Sequence, residues 1–422
     1  MKILVVGSGG REHALIKAIK KSSKADEIFC CPGNGGIAAD AECVNITATD
    51  LDNMVNFAVE EKIDLVVVAP DDPLAMGMVD RLNEKGIMTF GPSKLAAEIE
   101  SSKVFSKNLM KEFGIPTAAY EVFDKSHDAL EYIKAQNKFP VVIKADGLAL
   151  GKGVIIAETW SDAVHGVNSI MEDKVFGASG NKIVIEEFMT GPEVSVLAFT
   201  DGKVVKPMVS AMDHKRALDG DKGLNTGGMG TIAPNPYYTE AVKQECMDSI
   251  FLPTIAAMNK LGRPFKGCLY FGLMLTPNGA KVIEYNCRFG DPETQVVLPL
   301  LKTDLVDIMI AIYNEKLSEL EIDWSNNHAA CVIMASGGYP EKYEKGIVIE
   351  GLDEKGQPTD KFVTVYHAGT KITDGKLVTN GGRVLGVSAT ATTQKQALEK
   401  AYQAVETIHF AGAHYRHDIG IK

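Results

Sequence analysis

The first hundred residues alternate short β-branched runs with segments of helical spacing, and this pattern limits the fold more than any other feature. The runs KILVVG, EIFCCPG, DLVVVAP and IMTFGPS are separated by segments such as EHALIKAIKK and MVNFAVEEK. Strands that alternate with helices are typical of a parallel sheet covered by helices. Ligands on such sheets lie at the carboxyl ends of the strands, where this chain has Gly, Asn and Pro. The alternation therefore predicts an α/β fold with an N-terminal parallel-sheet domain at residues 1–100.

The remaining chain divides by the type of pattern it carries. Residues 101–119 contain a capped helix that ends at Gly114 and form a connector. Residues 120–190 form a compact unit with the strands VVIKA, VIIA and KIVIEEF. Residues 191–325 are mixed α/β and hold a hairpin whose turn is Pro277, Asn278 and Gly279. Residues 326–422 carry their own strands and a late helix, which predicts a small α+β domain.

Composition excludes several classes of function. The 422 residues are 45% hydrophobic and 23% charged, and they hold no apolar run near the roughly 20 residues of a membrane span. The start MKILVVG is too short for a signal peptide, so we expect a cytoplasmic protein without a membrane partner. Seven cysteines without a C-x-x-C pair predict free thiols rather than a zinc site. A net charge of −11 without a basic cluster argues against nucleic acid.

The stretch VIEYNCRFGDPETQ, residues 282–295, carries polar side chains on alternate positions. In an extended chain Glu284, Asn286 and Arg288 project to one side. The side chains expected on the other face are Ile283, Tyr285, Cys287 and Phe289. An amphipathic edge strand facing water would show this pattern, but so would a metal and phosphate site. Carboxylate and amide oxygens suit Mg²⁺, and a guanidinium can hold transferring phosphoryl oxygens; with the motifs below, we interpret this face as a metal–phosphate face.

The segment VVGSGGREH, residues 5–13, follows a strand and opens a helix. Its glycine amides and the helix N-terminus can hold an anion, with Arg11 as the countercharge. The dinucleotide fingerprint needs glycine where this chain has Glu12, so NAD is disfavoured. Both a phosphate of some other ligand and a purely structural tight turn remain open at this point.

Three further segments gain weight in combination. IKADGLALGKGV, residues 143–154, is one residue too short for a Walker motif and has glycine after its lysine, so we interpret it as a glycine-rich lid over a triphosphate. IVIEEFMTGPEVSV, residues 183–196, fits surface acids as well as the hinge of a nucleotide pocket. DHKRALDGDKGLNTGGMG, residues 213–230, lacks helical or strand period and is either a solvated loop or a functional one.

Taken in order, these motifs resemble the phosphoribosylamine–glycine ligase family of the ATP-grasp superfamily. The shared strings include GSGGREHAL, PGNGG, IKADGLALGKGV, DHKR, NTGGMG, NCRFGDPETQ, GGYP, HAGT, NGGRVL and YRHDIG. The resemblance implies a pre-ATP-grasp N-terminal domain, an ATP-grasp core with a small lid subdomain, and a C-terminal domain. It also implies ATP-dependent ligation of glycine to 5-phosphoribosylamine through glycyl phosphate, with Mg²⁺ or Mn²⁺, by a monomer or weak homodimer.

The resemblance also assigns roles to individual positions. It implies ATP contacts at Lys103, Lys144, Gly147, Gly151, Lys152, Gly153, Glu186, Glu187, Phe188 and Glu193. It implies metal ligands at Glu284 and Asn286, and catalytic roles for Arg288 and Asp213. It implies substrate contacts at Gly9, Gly10, Arg11, Glu12, Gly33, Asn34, Lys215, Asn225, Thr226, Gly227, Asp291 and Glu293.

The chain departs from the family pattern at three places: Asp71 stands for a glutamate, Ser101 for a glycine and Leu224 for a proline. These departures affect individual contacts rather than the reaction. Another carboxylate–amine ligase, or a carboxylase of the biotin-dependent type, is the nearest alternative within the superfamily. A nucleotide-binding regulatory protein without turnover is disfavoured because the Glu284, Asn286 and Arg288 set is complete. For HYRHDIG, residues 414–420, we predict packing of the C-terminal domain.

Overall fold

The computed structural model describes residues 1–148 and 153–421. The elements named below are those of these described residues. The predicted lid residues Gly151 and Lys152 lie outside them. Among the described helices, none combines the length and apolar character needed to span a membrane. All seven cysteines belong to the described part of the chain and are free thiols, as predicted.

The N-terminal segment forms the parallel sheet that the alternation predicts. Its strands are β1 (Lys2–Gly7), β2 (Glu27–Pro32), β3 (Glu42–Cys43), β4 (Leu65–Val68) and β5 (Met88–Phe90). Its helices are α1 (Gly10–Ile19), α2 (Leu51–Glu60), α3 (Asp71–Met76) and α4 (Met78–Glu84). The strand order is β3-β2-β1-β4-β5 with parallel pairing. Both faces of β1 are buried, which explains its unbroken apolar run.

The next elements are the connector helices and an antiparallel sheet. They are α5 (Lys94–Ser101), α6 (Lys103–Phe113), β6 (Tyr120–Phe123), α7 (Ser126–Gln136), β7 (Val141–Ala145), β8 (Val154–Ala157), α8 (Trp160–Met171) and β9 (Ile183–Glu187). The sheet order is β6-β9-β7-β8. The Ser102 hydroxyl caps α6 at Phe105 N, and Gly114 ends the helix at φ +68°, a left-handed conformation suited to glycine. The predicted capped helix is therefore confirmed.

The segment after β9 begins with a long antiparallel sheet. The strands of the whole segment, which belong to more than one sheet, are in chain order β10 (Glu193–Asp201), β11 (Val205–Pro207), β12 (Met212–Asp213), β13 (Arg216–Leu218), β14 (Lys222–Asn225), β15 (Gly230–Ala233), β16 (Lys266–Thr276) and β17 (Gly279–Asn286). Its helices are α9 (Glu240–Cys246), α10 (Leu252–Lys260), α11 (Thr294–Val297) and α12 (Leu305–Tyr313), with a π-helical turn at Met247–Phe251. The order β11-β10-β16-β17 contains the predicted β16–β17 hairpin.

The last portion supplies β18 (His328–Ala335), β19 (Val363–His367), β20 (Thr370–Thr373), β21 (Lys376–Thr379), β22 (Arg383–Ala391) and α13 (Gln394–Val405). Its main sheet has the order β12-β15-β18-β22-β19, so β12 and β15 of the preceding segment complete it. A continuous ladder thus joins residues on both sides of the expected boundary near residue 326.

Segment 213–230 was expected to be a loop, and the structure corrects this expectation. It contains the β13–β14 hairpin, in which Arg216 pairs with Asn225 and Leu218 with Lys222. Strands of three and four residues are too short to show an alternating pattern, and a register irregularity separates their two pairs.

The hydrophobic core joins the N-terminal sheet to the β10–β16–β17 sheet. One cluster contains Leu4 and Val66 of the first sheet together with Val196 and Phe271 of the second. Phe289, just after β17, packs its ring 5.9 Å from Phe90 and 6.0 Å from Phe199. This packing fixes the chain that leaves β17 against the carboxyl end of β5.

Candidate active site

The alternation predicted for residues 283–289 is present with one exception, although β17 ends at Asn286 and Arg288 lies two residues beyond the strand. Tyr285, Cys287 and Phe289 are buried, whereas Glu284, Asn286 and Arg288 are partly accessible. Ile283, expected on the buried face, is an extra residue in the ladder, because Gly272 pairs with Glu284 and Leu273 with Val282. Such an irregularity shifts the alternation by one position, which leaves Ile283 partly exposed.

Glu100, on α5, is the residue that orients this face, and sequence reasoning missed it. Its Oε1 accepts a hydrogen bond from Asn286 Nδ2 at 2.9 Å and lies 2.9 Å from an Arg288 terminal nitrogen. Its Oε2 accepts from Cys287 N at 2.7 Å. Because Asn286 donates through Nδ2, its Oδ1 lies on the opposite side of the amide. Within the described residues, the buried Arg288 Nε has no hydrogen-bond partner.

Three lysines surround Glu284. Lys215 Nζ lies 4.0 Å from Glu284 Oε1, and Lys144 Nζ donates to the carbonyl of Ile283 at 3.1 Å. Lys103 Nζ donates to the carbonyl of Gly147 at 2.6 Å. Burial raises the pKa of Glu284, but the charges of Lys215, Lys144 and Lys103 outweigh it and hold the pKa below the ordinary value. We call Glu284, Lys103, Lys144, Lys215 and Arg288 the cation-rich cluster.

The two neighbouring carboxylates of β9 face different surroundings. Glu186 is buried with Lys144 at 3.0 Å and Lys107 at 2.9 Å, so it holds two lysines in place. Burial lowers the pKa of Lys107 to about 8. Lys107 had no role in the sequence analysis, because one more lysine in a helix carries no signal. Glu187 is exposed, accepts from Ala119 N at 3.1 Å and lies 3.1 Å from Lys281 Nζ.

The predicted nucleotide contacts differ in how the described structure places them. Phe188 is 39% exposed, beside the open Glu187. Glu193 is exposed and lies 3.5 Å from Lys215. Asp146 directly precedes the predicted glycine loop, and its Oδ1 accepts from the Ser102 hydroxyl at 3.0 Å and from Val104 N at 3.2 Å, which ties it to the start of α6. Gly153 accepts a hydrogen bond from Ala145 N at the other end.

A second group of charges contains more carboxylates than cations. Glu293 is buried, and its Oε1 accepts from the Ser195 and Tyr270 hydroxyls, each at 3.1 Å. Burial raises the pKa of Asp213 well above its usual range, and the nearby charge of Glu293 raises it further. We call Asp213, Asp291, Glu293 and Arg383 the carboxylate-rich cluster.

Arg383, from β22, holds this second cluster to the loop after β14. One terminal nitrogen donates to the carbonyls of Gly227 at 2.7 Å and Asp291 at 2.8 Å, and the other lies 3.4 Å from Asp291 Oδ2. Burial by itself raises the pKa of Asp291, but Arg383 and then Arg11 outweigh it and leave the pKa below the ordinary value. The NGGRVL string was the available signal for Arg383, which received no role from sequence.

The glycine turn after β1 meets the GDPE segment. A Cβ atom at Gly9 would lie 3.2 Å from Asp291 Oδ2, and one at Gly10 would lie 2.6 Å from Gln295 Nε2. The close approach explains glycine at both positions. Glu12 folds back to accept from Gly9 N and pairs with Arg11, which also donates to the carbonyl of Phe289 at 3.2 Å.

Asn34 and Gly33 lie at the contact between the N-terminal segment and the last portion of the chain. Asn34 Nδ2 donates to the carbonyls of Ser8 and His367, both at 2.8 Å. Its Oδ1 accepts from Gly36 N and Ile37 N, both at 2.9 Å. The side-chain amide of Asn34 is therefore engaged within the protein, and Gly33 takes φ +72° at this turn.

The residues after β14 are tied to the residue before β13. Thr226 donates to the carbonyl of Lys215 through its backbone N at 2.7 Å and its hydroxyl at 2.9 Å. Gly227 N donates to the Tyr339 hydroxyl oxygen at 3.2 Å, and Asn225 is exposed on β14. Lys215, Thr226 and Gly227 are thus close to one another.

The departures from the family pattern lie in different settings. The charge of Asp71 contributes to raising the pKa of Arg288, so Asp71 lies near that guanidinium. Ser101 is the last residue of α5, and a helical position does not require glycine. Leu224 is 53% exposed on β14.

Comparisons with known proteins cover the whole chain. Residues 1–100, 101–294 and 329–422 match the N domain, the ATP-grasp (A) domain and the C domain of phosphoribosylglycinamide synthetase. A phosphoribosylamine–glycine ligase of Caldanaerobacter subterraneus subsp. tengcongensis is 48% identical over 419 residues, which is 99% of each chain.

Solved structures agree with these matches. The crystal structure of phosphoribosylamine–glycine ligase from Thermotoga maritima has a TM-score of 0.85 and 34% identity, and the match covers 100% of both chains. The biotin carboxylase domain of Hydrogenobacter thermophilus 2-oxoglutarate carboxylase, in complex with MgADP and bicarbonate, has a TM-score of 0.75 at 18% identity, covering 98% of this chain and 91% of that one. The latter shows the fold alone. The predicted α/β fold of the ATP-grasp type is confirmed, and the chain belongs to the phosphoribosylamine–glycine ligase family of ATP-grasp enzymes.

Proposed function

We propose that the chain joins glycine to 5-phosphoribosylamine at the expense of ATP, giving glycinamide ribonucleotide, ADP and phosphate. The observation that carries this proposal is the cation-rich cluster, in which Lys103, Lys144 and Lys215 surround the ionised Glu284. Several fixed cations beside a hard carboxylate suit a triphosphate with its metal ion. The full-length family match supports the choice of substrates.

The donor set fits Mg²⁺ or Mn²⁺ at Glu284 and Asn286. The surrounding lysines keep the Glu284 carboxylate ionised, and the bond from Asn286 Nδ2 to Glu100 assigns the amide oxygen to the other side. Both are hard oxygen ligands of the type that Mg²⁺ takes with phosphate and water. A divalent cation held there supplies charge neutralisation for the phosphates.

The side chains of the chain then divide the work of the reaction. Lys103 and Lys144 bind phosphate oxygens, and Arg288 stabilises the charge on the transferred phosphoryl group as the glycine carboxylate attacks. The products of this step are glycyl phosphate and ADP. The amino group of phosphoribosylamine next attacks the glycyl carbonyl and releases phosphate, and Asp213 accepts the proton that the amine loses, a role that suits its raised pKa.

The substrates occupy the carboxylate-rich cluster and its surroundings in this proposal. Lys215 and residues 225–227 hold glycine, and the turn at Gly9 and Gly10 together with Asp291 holds phosphoribosylamine. The approach of Gly9 to Asp291 supports a shared site for the two substrates. The protein acts in the cytoplasm as a monomer or weak dimer. Its proposed domain divisions are residues 1–100, 101–119, 120–190, 191–325 and 326–422.

The test is ADP release by the purified protein with Mg-ATP, glycine and freshly generated phosphoribosylamine, added separately and together. Turnover that needs both substrates is expected, and stimulation by bicarbonate instead would overturn the substrate assignment. Glu284→Gln should abolish most turnover, while the control Glu240→Gln, on the exposed face of α9, should not. Equal activity of the two variants would remove Glu284 from the metal role.

A further inference from the structure

The β13–β14 hairpin, residues 216–225, is held in place by residues far away in the chain. It connects Lys215 to residues 225–227, which the proposed function places around glycine. A two-stranded hairpin is at best marginally stable in water. This one also leaves Leu218 and Leu224 about half exposed, at 48% and 53%, so its own packing is small. Its order must therefore come from the groups that contact it.

Arg416 supplies the central contact from the end of the chain. Its side chain is only 1% exposed, and its Nε and one terminal nitrogen form a fork to Asp418, at 2.7 and 2.8 Å. The other terminal nitrogen donates to Asp221 Oδ1 at 2.9 Å and to the carbonyl of Arg216 at 3.1 Å. A planar guanidinium can satisfy such a set of directions at once, which an ammonium group cannot.

Further hydrogen bonds run beside Arg416 along the same edge of the hairpin. Asp418 accepts from Gly220 N at 2.8 Å. His417 contacts Asp219 through its backbone N at 2.8 Å and its ring at 2.9 Å. His414 Nε2 lies 2.7 Å from the carbonyl of Ala217. We call residues 414–418 the C-terminal clamp, because they contact the outer edge of the hairpin from Arg216 to Asp221.

The hairpin connects the clamp to the proposed substrate side, because Arg416 donates to the carbonyl of Arg216, the residue after Lys215. The bonds from Thr226 to the Lys215 carbonyl close the open end of the hairpin, and the Lys215 ammonium group then faces Glu193 and Glu284. The bonds of Arg416 and those of Thr226 thus hold the same short hairpin, on either side of the Lys215–Arg216 peptide.

We propose that Arg416 is a positioning residue for the ligation: through Asp221 and Arg216 it sets the hairpin so that Lys215 and residues 225–227 keep the geometry that glycine needs. The inference rests on the proposed function for its assignment of this segment to glycine. Arg416 itself does not contact the reacting groups; it acts through the hairpin.

The test compares Arg416→Ala, Arg416→Lys and Asp221→Asn with the control Asp52→Asn. The control breaks the surface ion pair of Asp52 with Arg81, far from the hairpin in sequence. We expect Arg416→Ala to raise the KM for glycine roughly tenfold or more, the scale of a misplaced substrate group, while the KM for ATP stays within about twofold. Arg416→Lys should raise the KM for glycine less than Arg416→Ala does, and Asp221→Asn should raise it least. Amide exchange of residues 216–225 should be faster in all three variants and unchanged in the control.

The outcomes separate positioning from general destabilisation. An unchanged KM for glycine, or an equal loss for glycine and ATP that follows the fall in melting temperature, would overturn the proposal. Where Arg416→Ala does not fold, Arg416→Lys and Asp221→Asn decide it by the same comparison. If glycine does not stimulate ADP release by the wild-type protein, the proposed function is refuted instead. Amide exchange and ATP affinity would then still decide whether the clamp orders the hairpin.

Discussion

The cation-rich cluster and the carboxylate-rich cluster shift the pKa of the same kind of side chain in opposite directions. Glu284 and Asp213 are both carboxyl groups with a burial penalty, yet the pKa of Glu284 is lowered and that of Asp213 is raised. The cause of the difference is the neighbours. Lysines surround Glu284, whereas Asp213 shares its surroundings with Glu293.

In the proposed function, this difference suits the two clusters to different chemistry. A cluster with excess positive charge binds phosphate and its metal ion and holds its own carboxylate ionised. A cluster with excess carboxylate favours groups that bring protons, such as amines and hydroxyls, and gives one carboxyl group a pKa suited to proton transfer. The predictions below alter one cluster at a time.

The largest effect is expected from Arg288→Ala, which removes a cation from the first cluster. The guanidinium is held by Glu100 at 2.9 Å, so it is oriented before substrate arrives. We expect kcat to fall by roughly 10²- to 10³-fold, the scale for loss of one transition-state donor. The measurement is steady-state kinetics of Arg288→Ala. The control variant is Arg81→Ala, which removes a surface arginine that pairs with Asp52. Near-normal turnover would remove Arg288 from the catalytic role.

Asp213→Asn alters the second cluster and should change activity and stability in opposite directions. The folded-state pKa is raised, so the stability that Asp213 contributes is complete below its unfolded pKa and lost as pH rises through the folded pKa. The neutral amide should therefore stabilise the fold at pH 7 by about 1 kcal/mol. Activity should fall about 10²-fold, the lower range for loss of a general base.

The pH profile distinguishes this from a packing defect. Wild-type turnover should rise with pH through the raised pKa of Asp213, and the acid limb should be absent in Asp213→Asn. Asp248→Asn, at an exposed carboxylate bonded to Gln244, is the control. An unchanged acid limb in Asp213→Asn would assign the proton transfer to another group.

Glu100→Gln tests whether orientation alone matters on the cation-rich side. The amide keeps the shape of the carboxylate but weakens its contacts with Asn286, Cys287 N and Arg288. We expect roughly a tenfold loss of kcat/KM with a higher Mg²⁺ requirement, as for other groups that orient metal ligands. Glu98→Gln, two residues earlier on the same helix and paired with Arg263, is the matched control. The same Mg²⁺ requirement in both variants would contradict the orienting role.

Ser101→Gly, which restores the family residue, should have the smallest effect. Ser101 ends α5 next to Glu100, and its helical position does not require glycine. Activity should change by less than about twofold, as for substitutions that remove no buried contact. A larger change would mean that the residue at the end of α5 controls the position of Glu100, and through it the cation-rich cluster.

Sequence reasoning succeeded where the relevant residues share one element. The alternation of the first hundred residues predicted the parallel sheet, and the alternation along β17 and the residues just after it predicted that Glu284, Asn286 and Arg288 are more accessible than their neighbours Tyr285, Cys287 and Phe289. It failed at Ile283, where an irregular pair shifts the register, and at β13 and β14, which are too short to show a period. The order of the motifs along the chain predicted the family, and the comparisons confirm it.

The sequence by itself determined the fold class, the family and the polar face of one strand, because periodicity and motif order act within an element or along the chain. The tertiary structure alone decided the partners: Glu100 beside Asn286 at a separation of 186 residues, Arg383 on Gly227 at 156, and Arg416 on Asp221 at 195. It also decided the opposite pKa shifts of Glu284 and Asp213. The physical reason is that charge and hydrogen-bond energies depend on distance and burial in the folded molecule, which local patterns do not report.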